Sequence, residues 1–121
     1  MKKDWRDRYA AKERKARDAV RLIGRGKHIF VGSGAAEPVG LVEALVAEAD
    51  HFADNPVVHL LTLGPAPYVE ARYESSFRHN AYFIGPNVRQ AVLEGRADYT
   101  PVFLSQVPEL IRSRRTPVDV A

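Results

Sequence analysis

The sequence contains no cysteine, which excludes disulfides, thiolate metal ligands and cysteine nucleophiles. It also has no apolar run near the roughly 18 residues of a membrane helix, because charges, prolines and glycines interrupt every one. The opening stretch is basic but has no apolar centre, so it does not read as a secretory signal. Internal repeats and low-complexity tracts are missing as well. These absences lead to the expectation of a soluble, cytoplasmic protein with no membrane partner.

Among 121 residues, 45% are hydrophobic and 27% are charged, which is ordinary globular composition. A chain of this length forms one compact unit that can bury about 65–70% of its unfolded surface. The charge is uneven. Residues 1–27 hold eleven Lys/Arg and four Asp/Glu, a net of +7, and all five lysines lie there. Residues 28–121 hold seven Arg and eleven Asp/Glu, a net of −4. The division reads as one domain, residues 1–121, with a basic helical segment at 1–27 and an α/β core at 28–121. Trp5 and Tyr9 among the bases suit contact with nucleic acid or another anion. A solvated helix face explains them better, because Asp4, Asp7, Glu13 and Asp18 are interleaved as helical i,i+4 pairs would be.

Helices and strands alternate along the chain. Ala16, Ala19, Val20 and Ile23 form a helical stripe that stops at Gly24. His28–Val31 reads as a strand, and Pro38 opens a helix carrying Leu41, Val42, Leu45, Val46 and Ala49. Val57–Leu63 is nearly continuous in apolar residues, as expected of a strand covered on both faces. Ser75–Asn80 reads as a polar loop, and Tyr82–Ile84 as a short strand. Asn87 and Gln90 match a capping box for the next helix, closed by Gly95. Tyr99–Leu104 reads as an edge or irregular strand because of Pro101. Ser105 is the expected cap of a short helix reaching Ile111, and Val118–Ala121 looks like the start of a strand. The pattern predicts an α/β fold with an open, mostly parallel sheet flanked by helices.

Gly32-Ser33-Gly34 is the most chemical turn. Its two glycines permit positive φ and close backbone approach, and the following helix start favours an anion. Glu37 stands where a dinucleotide motif needs its third glycine, and no Gly-Lys-Ser/Thr follows, so neither nucleotide loop is present. Glu37 is read as complementing the helix dipole. The four histidines (His28, His51, His59 and His79) include no close helical pair, so no metal is expected. No G-x-S-x-G elbow surrounds any serine.

The stretch Phe83-Ile84-Gly85-Pro86-Asn87-Val88-Arg89-Gln90-Ala91-Val92-Leu93-Glu94-Gly95-Arg96-Ala97-Asp98-Tyr99-Thr100-Pro101-Val102-Phe103-Leu104-Ser105 strongly resembles the acetyl-CoA hydrolase/transferase family, which includes 4-hydroxybutyrate CoA-transferases. Supporting matches are Ala19-Val20 and Ile23 before Gly26, the Gly32-Ser33-Gly34 turn with Pro38, Leu63-Gly64, and Pro117–Ala121. The resemblance covers essentially the whole chain, and only the first of the family's two α/β domains.

The resemblance implies transfer of CoA between an acyl-CoA and a small carboxylate, of acetate or 4-hydroxybutyrate type. A glutamate attacks the thioester carbonyl, giving an acyl-glutamyl anhydride and CoA thiolate. The thiolate then attacks the glutamyl carbonyl, leaving a glutamyl-CoA thioester and freeing the first carboxylate. That glutamate belongs to the second domain, which is expected to be absent here together with most of the CoA site. No catalytic residue is therefore assigned, and Glu37, Glu74 and Glu94 are not nucleophiles. Coenzyme A enters as substrate, with no covalently bound cofactor and no metal.

Gly32, Ser33, Gly34, Leu63 and Gly64 would form one wall of the substrate cleft, at the carboxyl ends of parallel strands. Ser33 is expected to touch the carboxylate substrate, its loss removing one hydrogen bond and little else. Expected partners are a C-terminal domain or partner chain and a further copy of the chain. Nucleic acid is not an expected partner. The alternatives are acyl-CoA hydrolysis and a split-subunit or assembly module inactive on its own. Because the chain stops inside a strand, a fragment of a longer protein is expected.

Overall fold

A computed structural model describes residues 4–121. Lys2 and Lys3 of the basic segment lie outside the described residues. The remainder begins with α1 (Trp5–Lys12) and α2 (Ala16–Val20), separated by extended backbone. α1 buries no side chain, in keeping with a solvated face. Its acids form no i,i+4 pairs among the described residues. Asp4 instead caps the helix, its carboxylate accepting from the Arg6 N–H at 3.3 Å. α2 is anchored: Val20 and the following Ile23 are buried, and Arg17 and Arg21 each reach Glu48 at 2.5 Å.

Four parallel strands follow in the order β1 (Ile29–Phe30), β2 (Asn55–His59), β3 (Phe77–Ala81) and β4 (Ala97–Tyr99). Ile29 aligns with Val57, Val57 with His79, and His79 with Ala97. On the far side of β1, Val120 makes a parallel bridge to Ile29, and Phe30 donates to its carbonyl at 2.8 Å. The strand character expected of Val118–Ala121 is realised at this edge. The mostly parallel α/β architecture is therefore present.

Side chains of adjacent β2 residues enter opposite cores, as strand alternation requires. Val57 joins the larger core with Val20, Ile23, Ile29, Val42, Leu45, Phe52, Tyr68 and Val88. These residues bring α2, α3 (Val39–Ala47) and α4 (Pro86–Leu93) together on one face. Val58 joins Tyr82 and Val107 on the other face, where α5 (Val107–Arg112) packs. At the amino end of β2, buried Asn55 accepts from Gly26 and Ala53 N–H and donates to the Gly24 and Lys27 carbonyls. One side chain thereby closes the connection between α2 and β1.

Several boundaries differ from expectation. β2 ends at His59 and not at Leu63, because the Leu60, Leu61 and Leu63 amides bond to side chains from other elements, as described below. Ser75–Asn80 is no loop: from Phe77 it is β3, with Phe77, His79 and Ala81 buried and Arg78 and Asn80 half-buried. The polar pair faces partners on or after β4, Arg78 reaching Asp98 at 2.6 Å and Asn80 accepting from the Thr100 hydroxyl at 2.9 Å. Tyr82–Ile84 follows the strand. β4 precedes Pro101, which cannot donate to a ladder, and it is an edge strand. Pro38 is the cap of α3 and not its first residue. The capping box is not formed: Gly85 caps α4 with Pro86 next, and Gln90 donates to Glu94. A 3-10 turn at Leu104–Gln106 precedes α5, so Ser105 does not cap it.

Candidate functional site

Because all four strands are parallel, the segments that follow them gather at one edge, where open α/β sheets hold ligands. The turns after β1 and β2 meet there. Gly34 donates to the Leu61 carbonyl at 3.0 Å. Ser33 Oγ accepts from the Leu60 and Leu61 N–H groups at 2.9 and 3.3 Å. Gly34 sits at φ +60°, in the left-handed region that favours glycine. Gly32 is required for a different reason: a Cβ there would lie 2.8 Å from the Ala36 carbonyl oxygen.

Ser33 thus has a structural role within these turns. It satisfies two amides that β2 leaves unpaired, so its loss would remove more than the single hydrogen bond expected. With both lone pairs engaged, the hydroxyl proton is its remaining hydrogen-bonding capacity. Such a group suits an acceptor, such as a carboxylate oxygen or a thioester carbonyl.

Glu37 ties the same two turns together. Its Oε2 accepts from the Thr62 hydroxyl at 2.6 Å, Gly64 N–H at 2.9 Å and Leu63 N–H at 3.1 Å. The carboxylate presses so closely on Gly64 that a Cβ there would stand 2.7 Å from Oε1. From the opposite side, Asn87 at the start of α4 donates to the Thr62 carbonyl at 3.3 Å and to the Gly64 carbonyl. The Thr62–Gly64 turn is therefore held by its N–H groups from one neighbour and by its carbonyls from the other. Glu37 does not act merely on the helix dipole. Sequence reasoning missed Glu37 and Asn87 as holders of this turn, and nothing local to either residue distinguishes that role from a capping role.

Beneath the turn lies a buried aromatic cluster. His59 Nδ1 and the Tyr68 hydroxyl are 2.9 Å apart, and the His59 and His79 rings are tilted with centroids 4.3 Å apart. His79 Nδ1 donates to the Val57 carbonyl at 2.9 Å, so its Nε2 carries no proton in the neutral ring. Burial pushes His59 down to about 4, against the opposing charge of Glu37. Burial, reinforced by His59, pushes His79 down to about 3. Burial chiefly raises the Tyr68 hydroxyl, with Glu37 acting in the same direction. Both imidazoles are thus neutral at pH 7 and serve the packing beneath the turn.

The five expected site residues, Gly32, Ser33, Gly34, Leu63 and Gly64, are brought to one place. Leu63 is 72% exposed while adjacent Thr62 is 2% exposed, so the turn presents an apolar side chain outward. Leu63 and Gly64 offer no free amides, since Glu37 takes both. No helix among the described residues is long and apolar enough to cross a membrane.

The acetyl-CoA hydrolase/transferase N-terminal domain family matches residues 1–121. The chain is 40% identical over 118 residues to the 4-hydroxybutyrate coenzyme A transferase of Clostridium kluyveri, covering 98% of this chain and 28% of that protein. It is also 40% identical over 98 residues to the succinyl-CoA:acetate/propanoyl-CoA:succinate CoA transferase of Fasciola hepatica, covering 79% of this chain and 20% of that one. The fold matches the crystal structure of RipA from Yersinia pestis with a TM-score of 0.78 at 24% identity, over 92% of this chain and 28% of RipA. The chain thus spans less than a third of the length of these relatives. From residue 1 to residue 121 it belongs to the acetyl-CoA hydrolase/transferase family, as the N-terminal domain.

Proposed function

We propose that this domain forms one wall of the cleft of a CoA-transferase that moves CoA between an acyl-CoA and a small carboxylate of acetate or 4-hydroxybutyrate type. The carrying observation is the 40% identity, over nearly the whole chain, to a 4-hydroxybutyrate coenzyme A transferase. The wall consists of Gly32, Ser33, Gly34, Leu63 and Gly64. Ser33 donates to a substrate oxygen, and Leu63 meets the apolar part of the acyl group. The glutamate that takes up CoA as a thioester lies on a second domain or partner chain. Leu63, Phe83, Phe103 and Leu104, all exposed beyond the strand ends, suit a surface facing such a domain. The reading also includes self-association and a cytoplasmic location.

Two assays test the reading. Treating the 121-residue chain with acyl-CoA should leave every glutamate unmodified by mass spectrometry, because the nucleophile lies elsewhere. A stoichiometric glutamyl-CoA adduct on this chain would overturn that division of labour. Supplied with the second domain, the chain should turn over acetyl-CoA only when an acceptor carboxylate is present. CoA release that is indifferent to added carboxylate would identify a hydrolase instead.

A further inference from the structure

A groove of about 400 Å³ lies between the segment that leaves β4 and helix α5. None of Gly32, Ser33, Gly34, Leu63 and Gly64 lines it. Its floor is apolar: Val102 and Leu110 pack against the core formed by Val58, Tyr82 and Val107, and Pro101 adds to the lining.

The rim is polar, and its groups divide by the hydrogen-bonding capacity they have left. The Thr100 hydroxyl donates to Asn80 at 2.9 Å and the Ser113 hydroxyl to the Glu109 carbonyl at 2.7 Å, so both protons are spent. The Glu109 carboxylate is paired with Arg112 at 2.9 Å. Gln106 uses its Oε1, which accepts from the Phe103 N–H at 3.2 Å, while no partner among the described residues takes its Nε2 protons. Arg115 makes no hydrogen bond or ion pair among the described residues. It differs in this from Arg17, Arg78 and Arg96, each of which is held by a carboxylate.

The backbone around Arg115 is fixed from both sides. Arg114 closes α5 at φ +58°, in the left-handed region that favours glycine, and donates to the Ile111 carbonyl at 3.1 Å. Thr116 is buried, donates to the Leu110 carbonyl at 3.0 Å and meets the Tyr82 hydroxyl with its own. A residue other than glycine persists in that region where the surrounding structure over-determines it. This turn brings Arg115 back onto the groove that α5 lines.

We propose that the groove binds a small organic oxyanion, a phosphate ester or a carboxylate, with its head on Arg115 and Gln106 and its hydrocarbon on Pro101, Val102 and Leu110. Both donors have protons to give and no acceptor in place, which is what an oxyanion needs. The planar guanidinium fork fits either head group. A volume near the lower end for ligand pockets selects a small molecule. Arg115 is exposed, so the attraction weakens as salt rises. The site goes beyond the cleft-wall reading and uses none of its residues.

The test uses the 121-residue chain, isotopically labelled and held at constant ionic strength. Inorganic phosphate, butyl phosphate and pentanoate are the probes. Saturable shifts of the Arg115 and Gln106 side-chain N–H signals and of the Val102 and Leu110 methyls, with butyl phosphate or pentanoate, support the proposal. The tighter of the two identifies the head group. Butyl phosphate should bind at least threefold more tightly than inorganic phosphate, because only the ester covers the apolar floor. Arg115→Gln, at an exposed position where folding is not at risk, should weaken binding at least tenfold. Gln106→Glu keeps the acceptor for Phe103 but removes both donors, and should weaken binding at least threefold. Arg89→Gln removes another exposed arginine that has no partner among the described residues, and should leave the affinity unchanged. An equal loss in Arg89→Gln and Arg115→Gln would mean general attraction to a basic chain and overturns the proposal. Shifts that grow without saturating overturn it as well, as does equal affinity for inorganic phosphate and butyl phosphate.

Discussion

The carboxyl edge of the sheet and the helix α1 are both rich in polar side chains, yet those side chains do opposite things. At the sheet edge, Ser33, Glu37 and Asn87 bond to backbone more than 20 residues away and replace the ladder that β2 has given up. In α1, the polar groups bond locally, as Asp4 does to Arg6, and no side chain is buried. Polar density alone therefore says little about structural weight. What counts is whether a polar group meets an otherwise unpaired backbone group away from water, where loss of the partner costs about 1–3 kcal/mol.

The widest expected contrast between the two regions is their response to acid. His59 and His79 lie beneath the clamped edge with pKa values of about 4 and about 3, below the unfolded value of 6.5. The neutral rings are favoured in the fold, so their stabilisation is fully present above pH 6.5. It is lost as pH falls from 6.5 toward 4, where the unfolded chain binds more protons. For His59 alone the loss is on the order of 3 kcal/mol by pH 4, a large part of a small domain's stability. Urea midpoints at pH 7 and pH 4.5 should differ markedly in the parent and converge in His59→Gln/His79→Gln. A parent midpoint that does not move over this interval would remove the histidines from the account. The α1 region carries no described histidine and should show no matching local transition.

Next in size are the glycines of the edge. Gly32→Ala places a methyl 2.8 Å from a backbone oxygen, which cannot swing aside as a side chain could. A loss of about 1–3 kcal/mol is expected by thermal or urea unfolding. Gly34→Ala differs in kind: nothing lies within 4 Å of its Cβ, and the cost is the positive φ alone. It should cost on the order of 1 kcal/mol. If Gly34→Ala proved the more damaging, the turn would be held differently from the arrangement seen here.

Ser33→Ala follows, with an expected loss of about 1–2 kcal/mol from two amides deprived of their acceptor. A change below about 0.3 kcal/mol would restore the simpler view of Ser33 as a ligand-contacting hydroxyl. This residue also marks how far the sequence could be read. The alternation of helices and strands and the parallel sheet followed from apolar periodicity, because burying one face of each element leaves few solutions. The two turns that the structure brings together, Gly32-Ser33-Gly34 and Leu63-Gly64, were legible as glycine turns after apolar runs, singled out with the aid of family resemblance. The extent of β2 was not legible. Leu60 to Leu63 has the composition of a strand, but the Leu60, Leu61 and Leu63 amides go to Ser33 and Glu37, and no property of the run itself signals a partner more than 20 residues away. β3 was hidden for the converse reason. Arg78, His79 and Asn80 look like a loop until Asp98 and Thr100 supply partners for Arg78 and Asn80 on one side and the Val57 carbonyl accepts from His79 on the other.

The smallest expected effect belongs to α1. Trp5 and Tyr9 are 60% and 63% exposed, Arg6 lies over the Trp5 ring at 4.6 Å, and neither aromatic touches the core. In the isolated domain, Trp5→Ala and Tyr9→Ala should each change unfolding stability by less than about 0.5 kcal/mol, as surface substitutions away from buried features do. The informative control is Glu48→Ala, at the point where the basic segment meets the core. There Arg17 and Arg21 converge on a carboxylate that is mostly shielded, and their hydrogen bonds hold it below the usual carboxylate range. Glu48→Ala leaves two guanidiniums facing each other without the anion between them. It should therefore be more destabilising than either aromatic substitution, and less so as salt screens the repulsion. If Trp5→Ala matched or exceeded Glu48→Ala in the isolated chain, α1 would be packed on the domain, and the contrast with the clamped sheet edge would fail. If the aromatic substitutions became costly only once the second domain was added, α1 would be the arm reserved for that domain, following on a segment that Glu48 anchors through Arg17 and Arg21 and itself left free along its length.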